Sequence, residues 1–90
     1  MSSLVVTVEF YGIPRQRAGR AELTLHAETV AGLLAEVRRV CPGLTDLVGE
    51  GGRVAGHYLL SLNGERFLGD PKEELRTGQR VLLLSADAGG

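Results

Sequence analysis

Hydrophobic and polar residues alternate from Leu4 to Tyr11, with Val6, Val8 and Phe10 on one side and Thr7 and Glu9 on the other. Successive side chains leave a pleated backbone in opposite directions, so a period of two predicts a half-buried strand. The stretch GIPRQRAGR breaks the pattern with Gly12, Pro14 and Gly19, as a hairpin loop would. Alternation resumes in AELTLHA, where Leu23 and Leu25 point inward against Glu22, Thr24 and His26. Two strands and their loop predict a first hairpin.

The period then changes. Val30, Leu33, Leu34, Val37, Val40 and Cys41 recur at the spacing of a helix and make one apolar stripe about three turns long. Glu36, Arg38 and Arg39 face away from that stripe. Thr29 is placed to cap the first turn through its hydroxyl, and Pro42 and Gly43 stop the last one.

A glycine-bearing connection, LTDLVGEGGRVAGH, carries a short apolar turn at Leu44, Leu47 and Val48. YLLSLNGERFL reads as a second hairpin that turns at Asn63-Gly64, a pair suited to positive φ at both positions. GDPKEELRTGQ is a polar connection with one inward anchor, Leu75, and a turn at Thr77-Gly78. RVLLLS is the last strand. The order strand, strand, helix, strand, strand, strand predicts an α+β domain over residues 1–90. Its mixed sheet has four to five strands, with one main helix packed across one face. If the last strand lies parallel beside the first in mid-sheet, the fold is a β-grasp.

Composition narrows the function. A net charge of −1 gives no general attraction to nucleic acid or to an anionic membrane. No apolar run approaches the roughly 18 residues that span a bilayer. MSSLVV lacks the basic and apolar pattern of a signal peptide, and a single cysteine permits no internal disulfide, so the cytoplasm is the expected compartment. Cys41 lies on the helix stripe and reads as a small core residue. His26 and His57 belong to no metal-ligand motif, and GEGG at 49–52 lacks the lysine and helix start of a phosphate cradle. Arg15, Arg17 and Arg20 read as solvated loop charge. The body of the protein therefore offers no catalytic side chain.

Two features are less neutral. Val81 and Leu83 take the inner face of the last strand, so Leu82 and Leu84 take the outer one, as do Val5 and Leu59. Aliphatic side chains on a face that one helix leaves uncovered suggest a docking surface for a partner. After the last strand come Ser85, Ala86, Asp87 and Ala88, then Gly89 and Gly90. Residues 86–90 are expected to form a slim, flexible tail that can thread a narrow channel, because glycine has no Cβ.

At this level the chain resembles the MoaD/ThiS family of ubiquitin-like sulfur carriers. The resemblance rests on the opening strands, the TVAGLLAEV helix ending in CPGL, the mid-chain LNGE, the TGQRVLLL strand and the final AGG. It implies the β-grasp fold and a carrier rather than an enzyme. A partner of the ubiquitin-activating type would join Gly90 to AMP from Mg·ATP, and a persulfide donor would displace AMP to leave a thiocarboxylate. Gly90 would carry the sulfur and Gly89 would give clearance. Val5, Leu59, Leu82, Leu84, Asp87 and Ala88 would meet partners, and no cofactor would be bound. The length favours a likeness to the small subunit of molybdopterin synthase, whose large subunit would accept the sulfur. Gln79 departs from that pattern, which often has an acidic residue there. Sulfur transfer to thiamine, cysteine or tRNA remains open. So do modification of lysines on other proteins and a purely non-covalent interaction domain.

Overall fold

The last strand lies in the middle of the sheet. A computed structural model describes residues 4–86. It contains β1 (Val5–Phe10), α1 (Ile13–Ala18), β2 (Glu22–His26), α2 (Val30–Val40), β3 (Tyr58–Leu62), β4 (Arg66–Phe67) and β5 (Arg80–Ser85). Short 3-10 turns occupy Pro42–Leu44 and Glu50–Gly52. The strand order is β2-β1-β5-β3-β4, with β1 and β5 parallel and the other pairs antiparallel. That is the mid-sheet parallel pairing that defines the β-grasp.

α2 forms where the apolar period predicts it. Thr29 Oγ1 accepts the N–H of Gly32 at 3.1 Å, which satisfies one of the first-turn donors. Val30, Leu33, Leu34, Val37 and Cys41 are buried against Val6, Val8, Phe10, Leu60, Val81 and Leu83. Leu75 joins them, and the connection that carries it closes over the start of α2. The N–H of Val30 donates to Glu73 C=O and that of Ala31 to Pro71 C=O, at 3.0 and 2.9 Å.

One expected loop is a helix. Residues 13–18 form α1 rather than an open hairpin loop. Pro14 sits in its first turn, where the missing N–H costs nothing and the fixed φ favours the helix. Gly19 closes it in the left-handed conformation at φ 74°, its N–H bonded to Arg15 C=O. The second hairpin turns at Asn63-Gly64 as expected, with φ of 54° and 77°. The ladder, however, pairs Leu62 with Arg66, so Glu65 is an extra residue in the turn.

Candidate functional site: the end and outer face of the central strand

β5 ends beside the start of β3. Tyr58 stands opposite Ser85, and the N–H of Ala86 donates to His57 C=O at 2.9 Å. Side chains from three separate segments meet at this corner. Asp46 accepts from Tyr58 Oη at 2.8 Å and from Arg17 Nη1 at 2.7 Å, and lies 2.9 Å from His57 Nε2. Arg17 Nη1 also donates to Tyr58 Oη at 2.8 Å. The hydrogen bonds from Tyr58, His57 and Arg17 hold the Asp46 carboxyl well below the usual carboxylate range. Burial, followed by the hydrogen bond to Asp46, pushes the Tyr58 phenol up.

α1 is brought to this corner by a close backbone approach. A Cβ on Gly43 would lie 2.2 Å from the carbonyl oxygen of Arg17, so only glycine lets the two segments touch. Of the arginines expected to be loop charge, Arg15 and Arg17 are carried on α1, and Arg20 follows its closing glycine. Arg17 in particular is tied to Asp46 and Tyr58.

The outer face of the sheet is divided. Leu84 stands opposite Leu59, and Leu82 opposite Ser61, which in turn faces Phe67 on β4. Leu59, Leu82 and Leu84 are half-buried, whereas Phe67 is 66% exposed. Toward β1 and β2 the face becomes polar. Arg80 holds Glu9 and Glu22, and Tyr11 donates to Glu9. The hydrogen bonds from Tyr11 and then Arg80 lower the Glu9 carboxyl.

Of the residues expected to meet partners, the fold brings Leu59, Leu82 and Leu84 together. Val5 does not join them. It pairs with His26 and its N–H donates to Thr77 Oγ1, at the opposite end of β1. Alternation placed it on the correct face but not in the same row. At about 3.3 Å per residue it is roughly 20 Å from the level of Leu84. Phe67 is the residue that sequence reasoning missed. Its signal was its place two positions beyond the extra turn residue, which returns it to the outer face in the row of Leu82, across Ser61.

Asp87, Ala88, Gly89 and Gly90 lie outside the described residues. Cys41 is buried at the end of α2, and burial pushes its thiol up, away from the reactive thiolate. Gln79 Oε1 accepts the N–H of Arg76 at 2.8 Å, a contact that a carboxylate could equally make. Among the described residues, no three His, Cys, Asp or Glu side chains gather as a metal site requires, and no helix is long and apolar enough to cross a membrane.

The parallel central pair, the crossing helix and the chain order define a ubiquitin-like β-grasp. No family model and no curated protein matches the sequence. Solved structures match it along its length. Small archaeal modifier protein 1 from Methanosarcina acetivorans is 22% identical, with each chain covered 100% and a TM-score of 0.79. A putative molybdopterin converting factor subunit 1 from Pyrococcus furiosus is 26% identical over 92% of this chain and 98% of its own, with a TM-score of 0.77. The Amycolatopsis orientalis BexX/CysO complex contains a chain 21% identical over 94% of this one and 99% of its own, also at 0.77. The neighbours thus fall among the MoaD-like, ubiquitin-like proteins that the sequence resembles.

Proposed function

We propose that the chain is a sulfur carrier whose working group is the carboxylate of Gly90. A partner of the ubiquitin-activating type uses Mg·ATP to form the Gly90 acyl adenylate, with pyrophosphate leaving. The outer sulfur of a persulfide donor then displaces AMP to form an acyl disulfide. A second thiol attacks the donor's own sulfur, forming a disulfide with it and leaving the outer sulfur on Gly90 as a thiocarboxylate. Adenylation is needed because a carboxylate is a poor electrophile. The product is useful because its anionic sulfur is a better nucleophile than a carboxylate oxygen. The sulfur is passed on in biosynthesis, with molybdopterin as the first candidate and the large subunit of molybdopterin synthase as the acceptor. The carrier is expected to work in the cytoplasm.

What carries this reading is the position of β5. A strand fixed between β1 and β3 brings the chain to Ala86 at the end of the sheet, beside the apolar outer face. A partner that gripped Leu59, Leu82, Leu84 and Phe67 would have residues 87–90 within reach. Gly89 would give that segment clearance, and Asp87 and Ala88 would line the partner's channel. The whole-length likeness to a molybdopterin converting factor subunit and to a chain found in complex with BexX agrees with such use.

The test is the intact mass of protein isolated from sulfur-replete cells of its source. Replacement of one oxygen by sulfur adds about 16 Da. Protein that carries only the bare carboxylate, even when mixed with its adenylating partner, ATP and a persulfide donor, would overturn the reading. The likeness to small archaeal modifier protein 1 favours a second reading, in which the same activated Gly90 is joined to lysines. Branched Gly-Gly peptides on cellular proteins would mark it.

A further inference from the structure

The two edges of the sheet differ. On the β3 side, β4 pairs with Ser61 and Leu62, and the N–H of Leu68 donates to Leu60 C=O at 2.9 Å, so that edge is largely covered. On the β2 side no further strand pairs among the described residues. The register pairs Val6 with Leu25 and Val8 with Leu23. The N–H of Phe10 donates to Ala21 C=O at 2.8 Å, and that of Ala27 to Leu4 C=O at 3.1 Å. In an antiparallel ladder the bonded pairs recur every second residue. Ala21, Leu23, Leu25 and Ala27 therefore spend their main-chain groups on β1. The N–H and C=O groups of Glu22, Thr24 and His26 face outward, and no backbone hydrogen bond joins them to another described residue.

Open edges are usually guarded by a proline, a lysine, a bulge or a very short strand. β2 has none of these. It is five residues of unbroken strand, and Glu22, Thr24 and His26 are all exposed. Its charge pattern is also self-complementary. We propose that two copies of this chain pair antiparallel through their β2 edges, with Thr24 on the twofold axis. Glu22 of each copy then stands opposite His26 of the other, a carboxylate against an imidazole donor, and Thr24 faces its own equivalent. Each of these pairs exchanges both main-chain hydrogen bonds. A shift of the axis to Glu22 would set two carboxylates against each other and shorten the ladder. A slip of one residue would turn the outer face of one copy to the inner side.

The joined sheets are continuous, and β5 is separated from the junction by β2 and β1 in each copy. The apolar outer face at Leu82 and the end of the sheet at Ala86 stay free in both copies, so self-pairing does not compete with the proposed partner contact. An interface made of one short ladder is small, which places the dimer among weak, concentration-dependent assemblies.

Sedimentation equilibrium of the full chain tests it. The weight-average mass should rise from 9.6 kDa toward twice that value between about 20 µM and about 1 mM, the range of a small interface. Thr24→Pro should hold the chain monomeric throughout. Its N–H points away from the sheet, so proline removes no main-chain bond of the fold and only the 3.4 Å contact between the Thr7 and Thr24 hydroxyls, and an amide NMR spectrum confirms that the fold persists. Glu22→Lys and His26→Glu should each weaken pairing by roughly five- to tenfold, and the double variant should restore it. A wild-type chain that stays monomeric at the highest concentration overturns the proposal. So does a dimer that survives Thr24→Pro, or one abolished by Phe67→Asp on the outer face.

Discussion

The N–H of Ala86 is bonded to the carbonyl of His57, 2.9 Å away, and the imidazole of that same histidine reaches Asp46 at 2.9 Å. The residue at which the central strand ends is thus linked, through one side chain, to a polar cluster that also holds α1 and the start of β3. The four residues come from three segments. Arg17 lies on α1, Asp46 follows the Pro42–Leu44 turn, and His57 and Tyr58 open β3. The arrangement ties the end of β5 to α1 and to the start of β3.

Asp46 is the acceptor shared by the whole cluster, so its loss should be felt in stability. Asp46→Asn should lower the free energy of unfolding at neutral pH by about 1 kcal/mol, a modest figure because the carboxylate is partly exposed and screened. The folded carboxyl titrates below its ordinary value of 3.8. A depressed carboxyl stabilises above the unfolded value and loses that contribution as pH falls through the folded one. The gap between wild type and Asp46→Asn in urea melts should therefore be complete at pH 7. It should close progressively below about pH 4.

Gly43 holds the same corner by shape alone. Alanine there would set a Cβ 2.2 Å from the Arg17 carbonyl, a backbone atom that cannot swing aside. Gly43→Ala should cost about 1–3 kcal/mol in a denaturant melt, the range of an overpacked contact. Amide shifts should move in α1 and around Asp46 but little in β2. Gly19→Ala, with open space around its Cβ, should act instead through its positive φ.

How these residues came to be legible, or not, follows from the range of the forces that place them. Alternation in LVVTVEF and the stripe from Val30 to Cys41 are local signals, and both elements formed where those signals put them. Pro14 and Gly19 are punctuation that a loop and a short helix share. Six residues are too few for a helical period to separate the two. The Arg17–Asp46–His57–Tyr58 cluster leaves no trace in spacing, because its members meet only after the 3-10 turns and strands have folded back. Leu82 and Leu84 could be assigned to the outer face from pleating alone. Val5 could too, but its row depends on the parallel register of β1 with β5, which no local pattern encodes.

The outer face gives a prediction that separates docking from folding. Phe67 is exposed, so Phe67→Asp should leave the unfolding free energy within about 0.5 kcal/mol of wild type. Leu82→Asp should cost more, since its side chain is half-buried beside Ser61 and Gly64. Both should weaken binding to the adenylating partner, measured by calorimetry, by tenfold or more if this patch is the grip, as a buried aromatic anchor would be. Val5→Asp, at the far end of β1, should leave that affinity nearly unchanged. Equal losses for Val5 and Phe67 would show that the partner covers the entire face.

Removal of Gly90 isolates the chemistry from everything else. The core is built from residues between Val6 and Leu83, so the shortened chain should melt with the wild-type protein. It should still bind the adenylating partner through the outer face, since Leu59, Phe67 and Leu82 are untouched. What it should lose is turnover, because its terminal carboxylate would end one residue short of the α-phosphorus of ATP. Pyrophosphate release from ATP would fall to background while affinity persisted. Gly90→Ala asks a different question. It keeps the carboxylate in register but adds a Cβ at the point of attack, so adenylation should slow rather than vanish. A shortened chain that still consumed ATP and accepted sulfur would place the reactive group elsewhere in the molecule.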